Sequence, residues 1–465
     1  MRSERDRVAD GIVRLCEWAA AATPGSIPRD VLARGARVLA DDLSAIIGAR
    51  DEPEVAAFHE RVLAQPRPAE ATVFRGGRRR TDRVSAAVAN AVAADWLELD
   101  EGYRNVPCHA GLYVVPALLA EAEARNLPLE HMLRALVLAY EIVTRVARAW
   151  TPRAQVMQSH GRYSAVGAAA AVALARGADA SRLAAAIGTA VTLTGPSPRN
   201  HLAEGILSRN VWPAAGAWSG SMAVEWAECG IAGSPGAFHD AYSTVLGGQA
   251  HPERLVADLG GHYAVLDGYT KIYACCQHLH SAVEATVALR PGLLARAALE
   301  DIAAIHVETH PLAVVLVNDR PGTTLGAKFS MNHAVAAALV TGTGGAESFT
   351  AATLAEPAID RLRGRVKVSL RETELPPPND RPARVVVELR DGATLESECL
   401  SAVGGPDRPL PPQVVFDKAA LLAAPAYPAI RPVLETVVRL APGRMGAGWA
   451  DIVNDICRQP KENAT

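Results

Sequence analysis

Three carboxylates, Glu98, Asp100 and Glu101, stand ahead of an isolated histidine, His109, in the stretch DWLELDEGYRNVPCHAG, Asp95 to Gly111. Acids followed by an imidazole roughly two to three helical turns later are the residue types that move protons. An Ala-rich segment from Ser85 to Ala94 leads in, and the apolar run LYVVPALLAEAEA follows. The polar residues therefore interrupt two buried helices, where such groups face a cavity. The competing reading has the acids capping a solvated helix end and His109 satisfied at a helix N-terminus.

Three more polar interruptions carry useful chemistry. In QSHGRYSAVGAAAA, His160, Arg162 and Tyr163 lead into a small-residue helix whose N-terminus suits an anion such as a carboxylate; alternatively His160 and Arg162 satisfy loop carbonyls. Arg209, in ILSRNVWPAAGAWSG, lies between apolar segments and needs an anionic partner, either an internal acid or a substrate. Lys271 opens KIYACCQHLHSA, followed by Cys276, His278 and His280, at an inferred domain boundary where small ligands favour the cleft. Nothing in the sequence activates Cys276 as a nucleophile, so packing is its default role. His278 and His280 form an HxH pair, but without HExxH or a further ligand the expectation is no metal.

Composition narrows the function classes. The 465 residues are 49% apolar, enough for large cores, and the net charge is −3 with acids and bases interspersed. The basic cluster Arg75 to Arg83 lacks aromatic residues to stack on bases, which argues against nucleic acid. No apolar run approaches the ~20 residues that span a bilayer, and the N-terminal pattern is broken by Arg14 and Glu17, unlike a secretion signal. A cytoplasmic protein with reduced cysteines is expected.

Apolar spacing predicts helices over 27–48, 84–96, 113–125, 129–150, 166–176 and 181–193. The period then shortens: 302–308, 365–370 and 384–389 read as strands, and Asp391-Gly392 turns the last into 394–400 as a hairpin. Helices over 281–289 and 332–341 fall among them, and the pattern turns helical again after about residue 404. The predicted fold is mainly α with an inserted α+β domain. Residues 1–266 form a helical domain, 267–403 an α+β lid, and 404–465 return to the helical domain.

The order of motifs resembles the MmgE/PrpD family, which includes 2-methylcitrate dehydratases, cis-aconitate decarboxylases and an iminodisuccinate epimerase. The resemblance runs through GARVLADDLSAIIGA, ELDEGYRNVPCHAG, ALVLAYEIVTRVA, VGAAAAVALARG, SRNVWPAAGAWSG, KIYACCQHLHSAVEA and KFSMNHAVAAALVTG. It implies a homodimer with a metal-independent site, requiring no cofactor, in a cleft beneath the lid. It also implies catalytic roles for Glu98 or Asp100, His109, His160 and Lys271, and substrate contacts at Arg209, Arg162, Tyr163, Cys276 and His280. The sequence departs from the family at His109-Ala110 in place of His-Pro, at His160-Gly161-Arg162-Tyr163 in place of His-Pro-Thr-Gly, at Arg209 in place of lysine, and at Gly102 in place of threonine.

The expected activity is cofactor-free proton chemistry beside a carboxylate of a small di- or tricarboxylate. That is a lyase performing dehydration or decarboxylation, with epimerisation as second choice. Cations at Arg209, Lys271 and Arg162 would stabilise the developing carbanion, and a histidine would move the proton. The rivals are a non-catalytic carboxylate-binding protein of the same fold and a metal-dependent lyase.

Overall fold

The apolar spacing that predicts a helix over 27–48 is buried as it requires: in the helix Arg29–Gly48, Val31, Val38, Leu39, Leu43, Ile46 and Ile47 all face the core. These features come from a computed structural model that describes residues 2–459. Residue 1 and residues 460–465, the outermost ends of the first and third predicted segments, lie outside the described residues. Further helices span Glu4–Ala21, Arg83–Ala94, Ala110–Arg125, Leu129–Arg148, Ser159–Ala175, Ala180–Val191 and Trp212–Glu228.

Small side chains decide how closely these helices approach. The Ser159–Ala175 helix packs on both Ala110–Arg125 and Trp212–Glu228. A Cβ added at Gly216 would come within 2.1 Å of Ser164 Cβ, so glycine is required at that crossing. The same packing brings the N-terminal ends of two helices together: His109 is the N-cap residue of one and His160 lies in the first turn of the other.

A four-stranded sheet follows in the order Thr394–Cys399, Ala383–Leu389, Ile302–Thr309, Val366–Leu370. The first two pairings are antiparallel and the last is parallel, with Val307 opposite both Val385 and Val368. The Asp391-Gly392 turn closes the hairpin, with Gly392 at φ 83°. The helices His280–Leu294 and Met331–Thr341 pack with one another, and the first also covers the hairpin.

Helices Pro412–Ala423 and Ile430–Val438 pack on Arg29–Gly48, and Trp449–Ile456 packs on Ala110–Arg125. The Trp449 N–H donates to the Leu127 carbonyl at 2.7 Å. The protein is thus mainly helical, with a small α+β region. Among the described residues, no helix is long and apolar enough to cross a membrane.

One local difference from the sequence reading matters for the site. The helix predicted to reach Trp96 stops at Ala94, so Glu98, Asp100 and Glu101 sit in irregular backbone beyond its end.

Candidate active site

Glu98 adopts φ 54°, a left-handed conformation that costs a non-glycine residue on the order of 1–3 kcal/mol unless its surroundings hold it. Buried lysines grip the loop around it. Lys328 Nζ donates to the Trp96 carbonyl at 2.7 Å, and Lys418 Nζ donates to the Leu99 carbonyl at 2.6 Å. Lys418 also donates to the Lys271 carbonyl at 3.0 Å and to Asp41 Oδ1 at 2.7 Å. A short antiparallel ladder sets Gly102 opposite Tyr269. The acidic loop and Lys271, far apart in sequence, are therefore fixed to one another.

The acids of this loop meet cations. Arg209 Nη2 lies 2.5 Å from Glu98 Oε1, and its Nη1 contacts Asp95 Oδ2. Lys271 Nζ lies 3.1 Å from Asp100 Oδ1 and 3.5 Å from Glu98 Oε2. All five side chains are at most 2% exposed. Burial pushes Asp95 well above the ordinary carboxylate range, with Arg209 opposing it. For Asp100, burial is outweighed by Lys271 and His109, which hold it well below that range.

The two histidines stand over this network with ring centroids 4.8 Å apart and planes at 83°. His109 Nδ1 lies 2.6 Å from Asp100 Oδ2. An ionised Asp100 accepts the Nδ1 hydrogen, which leaves Nε2 as the basic nitrogen. The His109 side chain is 20% exposed, the accessible member of an otherwise closed group. His160 is fully buried, and burial, then Arg209 and His109, drive its pKa well below the usual value. Its Nδ1 lies 2.9 Å from the Tyr113 hydroxyl, which also reaches Ser159 Oγ at 2.9 Å. Its Nε2 is 2.7 Å from Asp95 Oδ2, off the line of a hydrogen bond.

Glu98, Asp100, His109, His160, Arg209 and Lys271 thus share one cluster. Arg209 and Lys271 face internal acids, the alternative that their sequence context left open. Cys276 borders the cluster: burial, then Glu98, pushes its thiol up to about 11. His280 is engaged at both nitrogens, by the Tyr269 hydroxyl at 2.6 Å and the Cys275 carbonyl at 3.0 Å. Tyr163 packs on Tyr242, whose hydroxyl donates to the Arg162 carbonyl at 2.8 Å; neither Arg162 nor Tyr163 joins the ion pairs above.

Sequence reasoning missed Asp95, Tyr113, Lys328 and Asp42. The signals were present: Asp95 precedes Glu98 by three residues, Tyr113 follows His109 by one helical turn, and Asp42 belongs to an acidic pair inside an apolar helix. Asp42 Oδ1 accepts the Glu101 N–H at 2.7 Å.

Oxygens of Asp95, Glu98 and Asp100 lie within 4.8 Å of one another, a spacing that brings a metal ion to mind. Arg209 and Lys271 already contact all three acids, and a divalent ion there would face two buried cations. The donor set does not fit a metal. The HxH pair does not fit one either, since both nitrogens of His280 are engaged by protein groups.

Comparison with known proteins places this geometry in context. The chain is 26% identical over 439 residues to the cis-aconitate decarboxylase-like protein oryM of Aspergillus oryzae, covering 88% of this chain and 90% of that protein. It is 25% identical to a cis-aconitate decarboxylase of Aspergillus terreus, covering 88% of each. Residues 13–249 match the MmgE/PrpD N-terminal domain and residues 273–439 match the MmgE/PrpD C-terminal domain, and the chain belongs to the MmgE/PrpD family.

Proposed function

We propose that the protein is a cofactor-free lyase that breaks a C–O or C–C bond beside a carboxylate of a small di- or tricarboxylate. The observation that carries this reading is the Asp100–His109 pair, 2.6 Å apart, in which Lys271 keeps the acid ionised and the acid fixes the imidazole tautomer. His109 Nε2 is then the ring nitrogen left with a free lone pair, on a side chain that is partly exposed. In dehydration it takes the proton next to the carboxylate as hydroxide leaves from the neighbouring carbon. In decarboxylation the imidazolium returns a proton to the carbon that releases CO2. His160, neutral and steadied by Tyr113, is the second polar face of the site.

Because the ion-pair network is buried, substrate entry requires movement. We assign that movement to residues 267–403, acting as a lid over a helical domain built from both chain ends, with the Lys271 segment, tied to the acidic loop, as its fixed edge. The chain works as a homodimer in the cytoplasm. The names of the relatives make cis-aconitate the first substrate to test. Incubation with candidate polycarboxylates in deuterated water is decisive: label at carbon, or loss of water or CO2, is expected. Absence of all three across di- and tricarboxylates would leave a binding protein of the same fold.

A further inference from the structure

Next to the acid–histidine cluster lies a second buried polar corner whose hydrogen-bonding capacity is unspent. Gln277 Nε2, His278 Nδ1, and both Nε and Nη1 of Arg381 are buried without a partner. Among the described residues, no other arginine leaves two nitrogens in that state. The remaining nitrogen, Nη2, donates to the Arg104 carbonyl at 2.8 Å. The acid beside it, Asp380, is 3.6 Å from Nε and is already paired with Arg104 at 3.0 Å.

The corner is well anchored. Ser281 Oγ donates to the Arg381 carbonyl at 2.6 Å, and the His278 and His310 rings lie 5.3 Å apart, with His310 Nε2 3.3 Å from the His278 carbonyl. The Arg381 side chain is 13% exposed. Burial and then Arg104 both work against its charge, and the one acid that offsets them, Asp380 at 3.6 Å, lies closer to Arg104. A buried arginine in that position is stabilised strongly by an incoming anion.

Position joins the corner to the reaction site. Gln277 and His278 directly follow Cys276, which packs on the cluster of Leu202, Leu325 and Phe329, and the Arg209 guanidinium lies over the Phe329 ring, 5.4 Å from its centre. Gln277 Oε1 lies 3.9 Å from where a Cβ on Gly102 would stand, one residue beyond Glu101. In the main cluster Arg209 and Lys271 are matched by internal acids, so a second cation must receive substrate charge away from the reacting carbon.

We propose that Arg381, with Gln277 and His278, forms the subsite that binds the remote carboxylate of the substrate and so selects tricarboxylates over dicarboxylates. This rests on the lyase reading for the ligand being a polycarboxylate. The test is calorimetric titration of the purified protein and Arg381→Gln with tricarballylate, a saturated tricarboxylate, and with glutarate, alongside the deuterium-exchange assay. Loss of a charge-assisted bond should weaken tricarballylate about 10- to 100-fold in the variant while changing glutarate less than about 3-fold.

Equal weakening of both acids, or of neither, overturns the assignment, as does absence of tricarballylate binding by the unaltered protein. Binding that depends on Arg381 without any exchange at carbon sinks the lyase reading and keeps the subsite. Exchange that is indifferent to Arg381→Gln does the reverse. Should Arg381→Gln fail to fold, Arg381→Met removes the same charge with an apolar chain of similar length, and unchanged selectivity in it overturns the assignment equally.

Discussion

The acid–histidine cluster and the Arg381 corner are both buried and both charged, but they meet their charges differently. In the first, Arg209 and Lys271 lie against Asp95, Glu98 and Asp100, so the cations hold protein acids in place. In the second, Arg381 has two nitrogens with no acceptor. A network of paired charges fixes geometry, here the left-handed Glu98 backbone and the His109 tautomer. An unsaturated cation recruits charge from outside. One site therefore divides orientation and recognition between neighbouring regions.

The largest effect expected from breaking the ion-paired side is on stability. Arg209→Met leaves Asp95 buried without its cation and Glu98 with Lys271 alone, which should cost about 3–5 kcal/mol in denaturant unfolding. Arg381→Gln, which removes no comparable ion pair, should cost far less. If Arg209→Met unfolds like the unaltered protein, the cluster is not the matched network described above.

Next in size is His109→Ala. The side chain is partly exposed and its bond runs to Asp100, so folding should survive while turnover falls by roughly 10²-fold or more. A melting curve and a rate measurement on the same preparation check both halves. A fall in stability matching the fall in rate would make His109 a structural residue.

How much of this was legible beforehand follows from which residues carry periodic signals. The stripe from Val31 to Ile47 and the turn at Asp391-Gly392 announce a helix and a hairpin, because burial period and turn chemistry are local. The polar interruptions at His109, His160, Arg209 and Lys271 were equally visible, and in the structure these residues stand together. What the sequence could not give is which charge each cation meets. Arg209 could have faced a substrate or Asp95, and only tertiary packing decides between them. Arg381, in a proline-rich loop with no periodicity, gave no signal, since its importance lies in the absence of a partner. The parallel pairing of 302–309 with 366–370 was also invisible, because it joins strands far apart in the chain.

A subtler effect is expected under the cluster, at Glu101. Burial raises this acid from 4.5 to about 8, with Arg34 opposing it, while the Tyr140 hydroxyl donates to it at 2.7 Å. Between those two values the folded protein holds a proton that the unfolded chain has released. Stability should therefore decline as pH rises from about 5 to 8, by up to about 1.4 kcal/mol per pH unit, and level off above that. Glu101→Gln carries no such proton, so the advantage of the unaltered protein over the variant should shrink across this window. Unfolding titrations at several pH values measure it, and a constant difference would show that Glu101 is ionised in the folded state.

The smallest effect is expected at Cys276, which lies between the two regions and sharpens the comparison by what it does not do. Its thiol is pushed up to about 11 by burial and by Glu98, with Lys271 and Arg209 pulling the other way. At neutral pH the sulfur is then almost wholly protonated and a poor nucleophile. Its backbone N–H, by contrast, donates to the Lys328 carbonyl at 2.9 Å, a contact that a side-chain exchange leaves in place. Cys276→Ser should accordingly change turnover by less than about 3-fold, because it removes neither the His109 base nor the Arg381 donors. Loss of turnover by two orders of magnitude, with tricarballylate binding intact, would instead put the sulfur into the chemistry. The proton step could then no longer be assigned to the histidine and acid alone.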